Sequence, residues 1–150
     1  MKKSEYYLEF AKKVYDFQRN NLLRSDGVYD DMLGGDDTNG QVVYEEVGGQ
    51  RYRRHTNLNS RVGPAYSYNS GTMLSGAADL YRVTRDSKYL SELQALVSAS
   101  FRCFATLDKD KPGLYSYDVS GFNNWFNCVL MRGYLDAYPY EMNAESPIQS

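Results

Sequence analysis

Two pairs of adjacent aspartates are the side chains of this sequence best suited to acid–base chemistry. Asp30 and Asp31 lie in the stretch "DGVYDDML", and Asp36 and Asp37 lie in "GGDDTNG". Hydrolysis of a glycosidic bond commonly uses two carboxyl groups, one as the acid and one as the nucleophile or base. Two like charges held close together also raise one of the two pKa values, which suits a general acid. Adjacent aspartates in glycine-rich loops equally serve to cap turns while staying solvated, so both roles are open.

Uncharged aromatic and polar side chains crowd a second stretch, "AYSYNSGTML", just before an apolar helical pattern begins. Tyr66 and Tyr68 flank a serine there, and Asn69 follows. An uncharged polyol needs hydrogen bonds and a stacking face, so these residue types suit a sugar-binding site. Trp125, which lies among asparagines in "GFNNWFN", is the second aromatic candidate. The alternative is that the two tyrosines brace a long loop and that the tryptophan belongs to the core.

Other kinds of catalytic or binding site lack their residues in this sequence. His55 is the single histidine, so no Ser/His or Cys/His nucleophile system has its partners. The sequence has no phosphate loop or dinucleotide fingerprint, and it lacks the alternating ligand spacing of an EF-hand. Cys103 and Cys128 belong to no CxxC pair and lie among apolar residues, which predicts buried free thiols. We therefore expect neither a metal ion nor a cofactor.

The bulk composition fits one globular domain. The chain has 150 residues and a net charge of −2, so nothing indicates a nucleic-acid or anionic-membrane partner. No apolar run approaches the roughly 20 residues that a membrane-spanning helix needs. The 15 tyrosines outnumber the 6 phenylalanines. Because tyrosine is used where one end of the ring stays wet, this excess indicates half-buried helix faces or a cleft that stacks rings against sugars.

Four helical segments must position these candidates. The first runs from about Ser4 to Leu22, the second begins near Gly71, the third follows an N-cap at Asp86 or Ser87, and the fourth starts near Gly121. Each segment has its own set of residues at helical spacing. They are Tyr7, Phe10, Ala11, Val14, Phe17 and Gln18 in the first, Met73, Leu74, Ala77, Leu80 and Tyr81 in the second, Leu90, Leu93, Val97, Phe101 and Phe104 in the third, and Phe122, Trp125, Phe126, Val129, Leu130 and Tyr134, predicted to point inward, in the fourth.

The long connection between the first two helices contains a predicted β-hairpin near residues 41 to 56. Two alternating runs surround Gly48 and Gly49 in "QVVYEEVGGQRYRRHT", which is a strong signal for a two-residue turn. In that register Glu46 faces Arg51 across the strands. The arginines that follow therefore indicate a solvated strand rather than an anion site. The predicted class is all-α, built from helical hairpins, with this one short β-hairpin in the long loop.

The segment "YSYNSGTMLSGAADLYRVTRDSKYLSE" resembles the region around the Tyr-Thr-Tyr-Asn-Gln-Gly-Thr motif of family 76 glycoside hydrolases, the endo-α-1,6-mannanases. The upstream "AKKVYDFQRNNLLRSDGVYDDML" is similar to the family's preceding helix and its Gly-Leu-Val-Tyr-Asp-Gly loop. The downstream "GFNNWFNCVLMRGYLDAY" is similar to a later helix of the same fold. The likeness implies part of an (α/α)6 toroid, with the sugar cleft across the loops at one end.

The resemblance also implies a ligand and the residues that contact it. Tyr68 and Asn69 match motif positions that border the mannan groove, so the expected partner is a mannan-type oligosaccharide or polysaccharide. The family suggests a secreted or periplasmic location for the parent protein. The complete set of expected substrate-binding residues is Asp30, Asp31, Tyr66, Tyr68, Asn69 and Trp125.

Three departures from the family pattern limit what the chain is expected to do. Ser70 stands where the family usually has glutamine, which shortens the reach toward a ligand, and Asp31 stands where it usually has glycine. Asp30 aligns with the Tyr-Asp-Gly loop, whereas the family's adjacent catalytic aspartates belong to an earlier part of the toroid. We therefore expect no catalytic residue in this chain. The alternative function is a non-catalytic glycan-binding or purely structural helical module.

Four helices amount to about a third of a closed toroid, so we expect residues 1–150 to be a single helical domain that is an incomplete piece of a larger one. Such a piece has two open edges, where neighbouring helices would pack. These edges are expected to expose apolar faces such as that of Phe101 and Phe104. Because large apolar patches are rarely left in water, we expect self-association through the open helical edges.

Overall fold

The computed structural model describes residues 2–33, 44–53, 61–62, 64–117 and 124–140. Within these residues the chain forms four helices: α1 (Lys3–Leu22), α2 (Ser67–Thr84), α3 (Ser87–Phe104) and α4 (Trp125–Ala137), which runs into a 3-10 turn at Tyr138–Tyr140. Three antiparallel strand pairs connect them: β1 (Met32–Leu33) with β4 (Arg61–Val62), β2 (Tyr44–Val47) with β3 (Gln50–Arg53), and β5 (Thr106–Leu107) with β6 (Tyr115–Ser116). The predicted all-α class is confirmed.

Helices α2 and α4 form the centre of the packing because two glycines let their backbones touch. A Cβ placed on Gly71 would come within 2.4 Å of the Val129 carbonyl oxygen, and one on Gly133 within 2.6 Å of the Gly71 carbonyl oxygen. Fully buried Leu74 and Leu130 pack into the core that this close approach creates. The crossing therefore fixes where the start of α2 lies relative to α4.

Helix α3 returns antiparallel to α2 after a two-residue turn. Arg85 adopts a left-handed conformation with φ of 58°, and the Asp86 side chain accepts a 2.9 Å hydrogen bond from the Lys88 backbone N–H. The predicted N-cap at Asp86 is confirmed. Leu93 and Val97 are fully buried, as the helical spacing of this segment indicates.

Helix α1 packs against α2 and α3 through one narrow side. Tyr15 is its buried residue, and its ring meets the Tyr89 ring edge-on at a centroid distance of 5.4 Å. Arg19 Nε lies 2.9 Å from Glu92 Oε1, which ties the end of α1 to α3. The opposite side carries large apolar side chains that are about half exposed: Tyr6, Tyr7, Phe10, Val14 and Phe17.

Two predictions about exposure differ from the structure. Phe101 and Phe104 are half-buried, because the Phe101 ring lies 4.8 Å from the Tyr115 ring of β6 and Phe104 packs against the core. The exposed apolar edge is therefore the outer face of α1. Cys103 and Cys128 are free, as predicted, but exposed rather than buried. Both lie on helix faces that point away from the core. The apolar residues next to them in the sequence do not indicate which way a helix face points.

Two predicted helix starts also change. Helix α2 begins at Ser67 rather than near Gly71, because its first turn is built from polar and aromatic residues that apolar periodicity does not detect. The fourth helix begins at Trp125, and Gly121 lies outside the described residues. Trp125 is 49% exposed, so it does not point inward as predicted, although Phe126 behind it is buried.

The predicted β-hairpin is present where the structure describes the segment, at β2 and β3. Gly48 and Gly49 both have positive φ values, 60° and 77°, which a two-residue turn of this kind requires. Glu46 pairs with Arg51, so the predicted register is confirmed. The outer parts of the prediction, residues 41–43 and 54–56, lie outside the described residues.

Candidate functional site

A groove of about 570 Å3 lies between α1, the loop that follows it and the first turns of α2. Side chains from all three segments line it. They are Lys13, Val14, Phe17, Gln18, Leu22, Tyr29, Asp30, Asp31, Tyr68, Asn69 and Thr72. The groove therefore combines a wall on α1, where apolar side chains lie beside Lys13 and Gln18, with a polar wall of carboxylate, phenol and amide groups.

The loop after α1 is held tightly, which fixes the two aspartates at its end. Leu23 and Tyr29 form an antiparallel bridge, and the Asp30 backbone N–H donates to the Leu22 carbonyl oxygen at 3.0 Å. Gly27, with φ of 90°, lies so close to α3 that a Cβ there would come within 2.8 Å of the Ala99 Cβ. The loop can approach the core this closely only with glycine at that position.

Asp31 joins the loop to the start of α2. The Tyr68 hydroxyl donates to Asp31 Oδ1, and Asn69 Nδ2 donates to the same oxygen at 3.2 Å. This hydrogen bond to Asp31 raises the pKa of the Tyr68 phenol, with partial burial adding to the effect. The tyrosine therefore stays protonated and acts as the donor across the physiological pH range.

Asp30 has a different partner although it is the next residue. Arg24 Nη1 lies 3.2 Å from Asp30 Oδ1, and Arg24 Nη2 lies 2.9 Å from Asp26 Oδ2. The hydrogen bond from Arg24 lowers the pKa of Asp26. The side chain of Asp30 is only 13% exposed. Of the two adjacent carboxylates, Asp30 thus pairs with a cation, whereas Asp31 accepts hydrogen bonds from two neutral side chains.

Four rings form an aromatic cluster beside the groove, contributed by Tyr66, Tyr68, Trp125 and Phe126. Trp125 and Tyr66 both lie nearly parallel to the Tyr68 ring, at centroid distances of 5.5 and 5.9 Å. Phe126 meets Tyr68 edge-on at 4.6 Å. Buried Phe126 supports the other three rings, and Trp125 is the most exposed member at 49%.

The structure brings four of the six predicted site residues into one groove: Asp30, Asp31, Tyr68 and Asn69. Tyr66 and Trp125 do not line it but stand in the aromatic cluster, joined to the groove through Tyr68. Sequence reasoning missed the wall that α1 contributes. Its signal was the apolar stripe containing Val14 and Phe17, which periodicity alone assigns to a helix face without saying what that face contacts.

Several neighbouring polar residues do not line the groove. Ser70 is fully buried and its hydroxyl has no hydrogen-bond partner among the described residues, so it does not reach the groove. Asn127 accepts from the Ser67 hydroxyl at 2.9 Å and donates to the Tyr117 carbonyl oxygen at 2.7 Å. It therefore fastens the first turn of α2 to α4. The remaining sequence candidates, Asp36, Asp37 and His55, lie outside the described residues.

The described part of the chain contains no group of three or more His, Cys, Asp or Glu side chains that could hold a metal ion. Within the same residues, none of the helices has the length and apolar character needed to cross a membrane.

Comparison with known proteins identifies the fold and the family. The fold is similar to the family 76 mannosidase Bt3792 from Bacteroides thetaiotaomicron, with a TM-score of 0.68 and 24% identity over 97% of this chain and 35% of that one. A family 76 glycoside hydrolase from a bovine strain of the same species gives 0.60 and 23%, over 90% of this chain and 26% of that one. No curated protein matches significantly.

A third similar structure is an inactive variant of the α-1,6-mannanase GH76A of Salegentibacter sp. HEL1_6, in which two consecutive aspartates are changed to asparagine, in complex with α-1,6-mannotriose. Its TM-score is 0.56 at 20% identity, over 91% of this chain and 34% of that one. The chain thus spans about a third or less of each neighbour, with the helical hairpins of a toroid as the shared fold.

The family match is independent of these structures and extends over residues 1–138, through all four helices. It includes the loop that carries Asp30 and Asp31 and the start of α2 that carries Tyr68 and Asn69. The chain belongs to glycosyl hydrolase family 76.

Proposed function

We propose that this chain is a segment of a glycoside hydrolase that acts on α-1,6-linked mannan, and that it forms one wall of the sugar groove. The observation that carries the proposal is the meeting of Asp31 with Tyr68 and Asn69, which come from segments 37 and 38 residues apart, at the edge of the groove of about 570 Å3. A family neighbour that holds α-1,6-mannotriose supports the choice of ligand.

The groove has the chemistry that a neutral oligosaccharide needs. Carboxylate, amide and phenol groups on one wall can exchange hydrogen bonds with sugar hydroxyls. Phe17 on the other wall is 58% exposed and offers an apolar face to the C–H side of a sugar ring. Trp125 extends the binding surface beyond the groove, because it stacks on Tyr68 and leaves half of its own surface in solvent.

The same geometry supports binding by this chain rather than the chemical step. A glycosidase needs two carboxyl groups on either side of the scissile bond, about 5 to 9.5 Å apart. Asp30 is held by Arg24, and Asp31 is held by Tyr68 and Asn69, so neither carboxylate is free of a structural partner. We therefore propose that residues 1–150 form one helical unit of a larger catalytic domain whose catalytic pair lies elsewhere.

Two measurements on the chain test this function. Addition of α-1,6-mannotriose should move NMR signals of Tyr68, Asn69 and the loop at Asp30, with a dissociation constant no better than about 1 mM, or about −4 kcal/mol. Shifts spread evenly over the helices, or none at high sugar concentration, would contradict a groove at this position.

The companion assay measures reducing ends released from α-1,6-mannan. We expect no release above background by the parent chain, because the acid and nucleophile supply large parts of the rate enhancement. Hydrolysis that disappears in a double variant, Asp30→Asn with Asp31→Asn, would show that this pair is catalytic.

We also propose that the chain associates with itself through the outer face of α1. Tyr6, Tyr7 and Phe10 on this face are 57%, 56% and 56% exposed, and none of them lines the groove. The ring of Tyr6 stacks on Phe10 at 6.5 Å and meets Tyr7 edge-on at 5.6 Å, so they form one continuous surface. Apolar surfaces of this kind are usually covered by a partner.

A further inference from the structure

We infer that Asp31 sets the hydrogen-bond polarity of the groove, so that this part of it binds ligand groups that donate hydrogen bonds and disfavours groups that only accept them. The inference rests on the proposed function and names the chemical class of ligand for the same site: a neutral sugar that presents hydroxyl hydrogens, as opposed to a glycan modified with carboxylate or phosphate at that point.

Asp31 occupies hydrogen-bond donors of two neighbouring side chains. A carboxylate can only accept, so the groups facing its Oδ1 must be the Tyr68 hydroxyl hydrogen and the Asn69 amide nitrogen. Tyr68 has a single hydroxyl hydrogen, which this contact uses. Asn69 has two amide hydrogens, and its amide is engaged with both Asp31 and the Tyr68 oxygen.

The polar groups around Asp31 that remain for a ligand are mainly hydrogen-bond acceptors. The amide of Asn69 also hydrogen-bonds to the Tyr68 oxygen. Tyr68 therefore retains one lone pair, Asn69 retains its carbonyl oxygen, and Asp31 retains Oδ2, which has no donor among the described residues. Acceptors therefore outnumber donors around Asp31. A sugar hydroxyl can donate to such a site, whereas an ester, carboxylate or phosphate oxygen would meet acceptors.

The charged side chains of the groove also disfavour an anionic ligand at Asp31. Asp31 is half-buried and held by two hydrogen bonds, so its negative charge has a fixed place in the groove. The charge of Asp30 is offset by Arg24. Lys13 on the α1 wall is exposed, so solvent screens it more strongly than the half-buried carboxylate. The local field at Asp31 therefore adds to the preference against anionic groups.

Fluorinated sugars test this inference, because fluorine in place of a hydroxyl group removes the donated hydrogen. The probes are α-1,6-mannotriose and analogues with one hydroxyl at a time replaced by fluorine, titrated by NMR into the parent, Asp31→Gly and Asp31→Asn. For at least one analogue we expect the parent to lose fivefold or more in affinity. For the same analogue, the affinity of Asp31→Gly should fall less than twofold relative to mannotriose. Asp31→Asn places an amide N–H in the groove, so its affinity should also fall less than that of the parent. Asp79→Asn, an exposed change farther along α2, is the control and should keep the parent's ratio of affinities for mannotriose and the analogue.

A second measurement does not depend on a ligand. Titration of the Tyr68 ring by NMR should show a lower pKa of the phenol in Asp31→Gly than in the parent, and an unchanged value would overturn the inference. If mannotriose binds but the fluorinated analogues lose equal affinity in the parent and in Asp31→Gly, the inference is overturned while the sugar groove stands. Absence of mannotriose binding by the parent and by Asp31→Gly would overturn the proposed function together with this inference.

Discussion

Gly71 and Gly133 face each other across the α2–α4 crossing, and a Cβ on Gly133 would lie 2.6 Å from the Gly71 carbonyl oxygen. This contact places the first turn of α2, with Tyr68 and Asn69, against α4. Because the obstructing atoms belong to the backbone, a side chain at either position can be accommodated only if a whole helix moves.

The change Gly71→Ala should therefore lower the free energy of unfolding by about 1–3 kcal/mol or more, since overpacking forces backbone shifts. Gly76→Ala on the same helix is the matched control, because its Cβ would meet only the Tyr15 ring at an ordinary 3.5 Å. That control should gain about 0.5–1 kcal/mol from helix propensity. Urea denaturation measures both, and an equal response of the two variants would contradict the close crossing.

The tie between α1 and α3 should contribute more than a surface ion pair. Glu92 is only 12% exposed and its charge is met by Arg19, whose side chain is 28% exposed and which also hydrogen-bonds with Tyr29. Arg19→Ala leaves that carboxylate without its counter-charge, and we expect a loss of about 1–3 kcal/mol, below the range for fully buried pairs.

Lys88→Ala is the control for that change, since the Lys88–Asp16 pair also joins the same two helices but both side chains are 41% exposed. Its loss should be about 0–1 kcal/mol. Chemical denaturation measures the free energy of unfolding of both variants. A larger loss of this free energy for Lys88→Ala than for Arg19→Ala would show that burial does not determine the strength of the pair.

Alkaline pH should destabilise the fold, with Tyr134 as one cause. Tyr134 is fully buried, and burial raises the pKa of its phenol above the ordinary value of 10.0. Above pH 10 the phenol therefore keeps its proton in the folded state and loses it in the unfolded state. The stability that Tyr134 contributes is fully present below pH 10 and declines as pH rises above it. Unfolding free energy measured from pH 8 to 11 should show this decline.

The variant Tyr134→Phe removes the titrating group and should flatten the decline above pH 10, by at most about 1.4 kcal/mol per pH unit. At neutral pH it should cost about 1 kcal/mol, because the 3.0 Å hydrogen bond between Tyr134 and Ser100 is lost. Ser100 keeps its 2.7 Å bond to the Leu96 carbonyl oxygen. Tyr6→Phe on the exposed face of α1 should keep the parent's slope, and an equal flattening there would point to another source.

Local features of this fold could be predicted from the sequence because their signals lie within a few residues. Asp86 is followed at once by a strongly periodic helix, and its cap is where the pattern predicts. Gly48 and Gly49 between alternating runs specify the turn, and with it the pairing of Glu46 with Arg51. In both cases the residues that determine the conformation are neighbours along the chain.

The groove could be predicted only in part, because its geometry depends on contacts between distant segments. Tyr68 and Asn69 were identified as site residues, yet no local pattern indicates that they bind Asp31. Periodicity likewise shows that α1 has an apolar stripe but not which side faces the core. Tyr15, on the other side, is what packs, and Phe17 is left for the groove.

Self-association should depend on the outer face of α1. We expect dimers or larger species in sedimentation velocity at micromolar concentration, and Phe10→Gln should shift them toward the monomer. Val83→Gln, at a 59% exposed position on α2, is the control and should leave the distribution unchanged. A stable interface buries about 800 Å2 on each partner, so one polar side chain in its centre should weaken it strongly. A monomeric parent would contradict the association altogether.

Trp125 should report sugar binding directly, since it is the single tryptophan of the chain and lies 49% exposed on the Tyr68 ring. A mannan chain that leaves the groove beside Tyr68 would cover the exposed indole and exclude water from it. Titration with α-1,6-mannotriose should therefore change the fluorescence emission, and a longer α-1,6-linked oligosaccharide should change it more.

The companion variant Trp125→Leu should weaken binding of the longer oligosaccharide by about two- to tenfold, because stacking of a ring on an aromatic side chain contributes roughly 0.5–1.5 kcal/mol. Mannotriose, if held within the groove alone, should lose less. Leu114→Ala, which removes an exposed apolar residue that does not line the groove, should affect neither. Unchanged fluorescence at saturating sugar, with NMR shifts still confined to Asn69 and the Asp30 loop, would restrict the binding surface to the groove and leave Trp125 a structural partner of Tyr68.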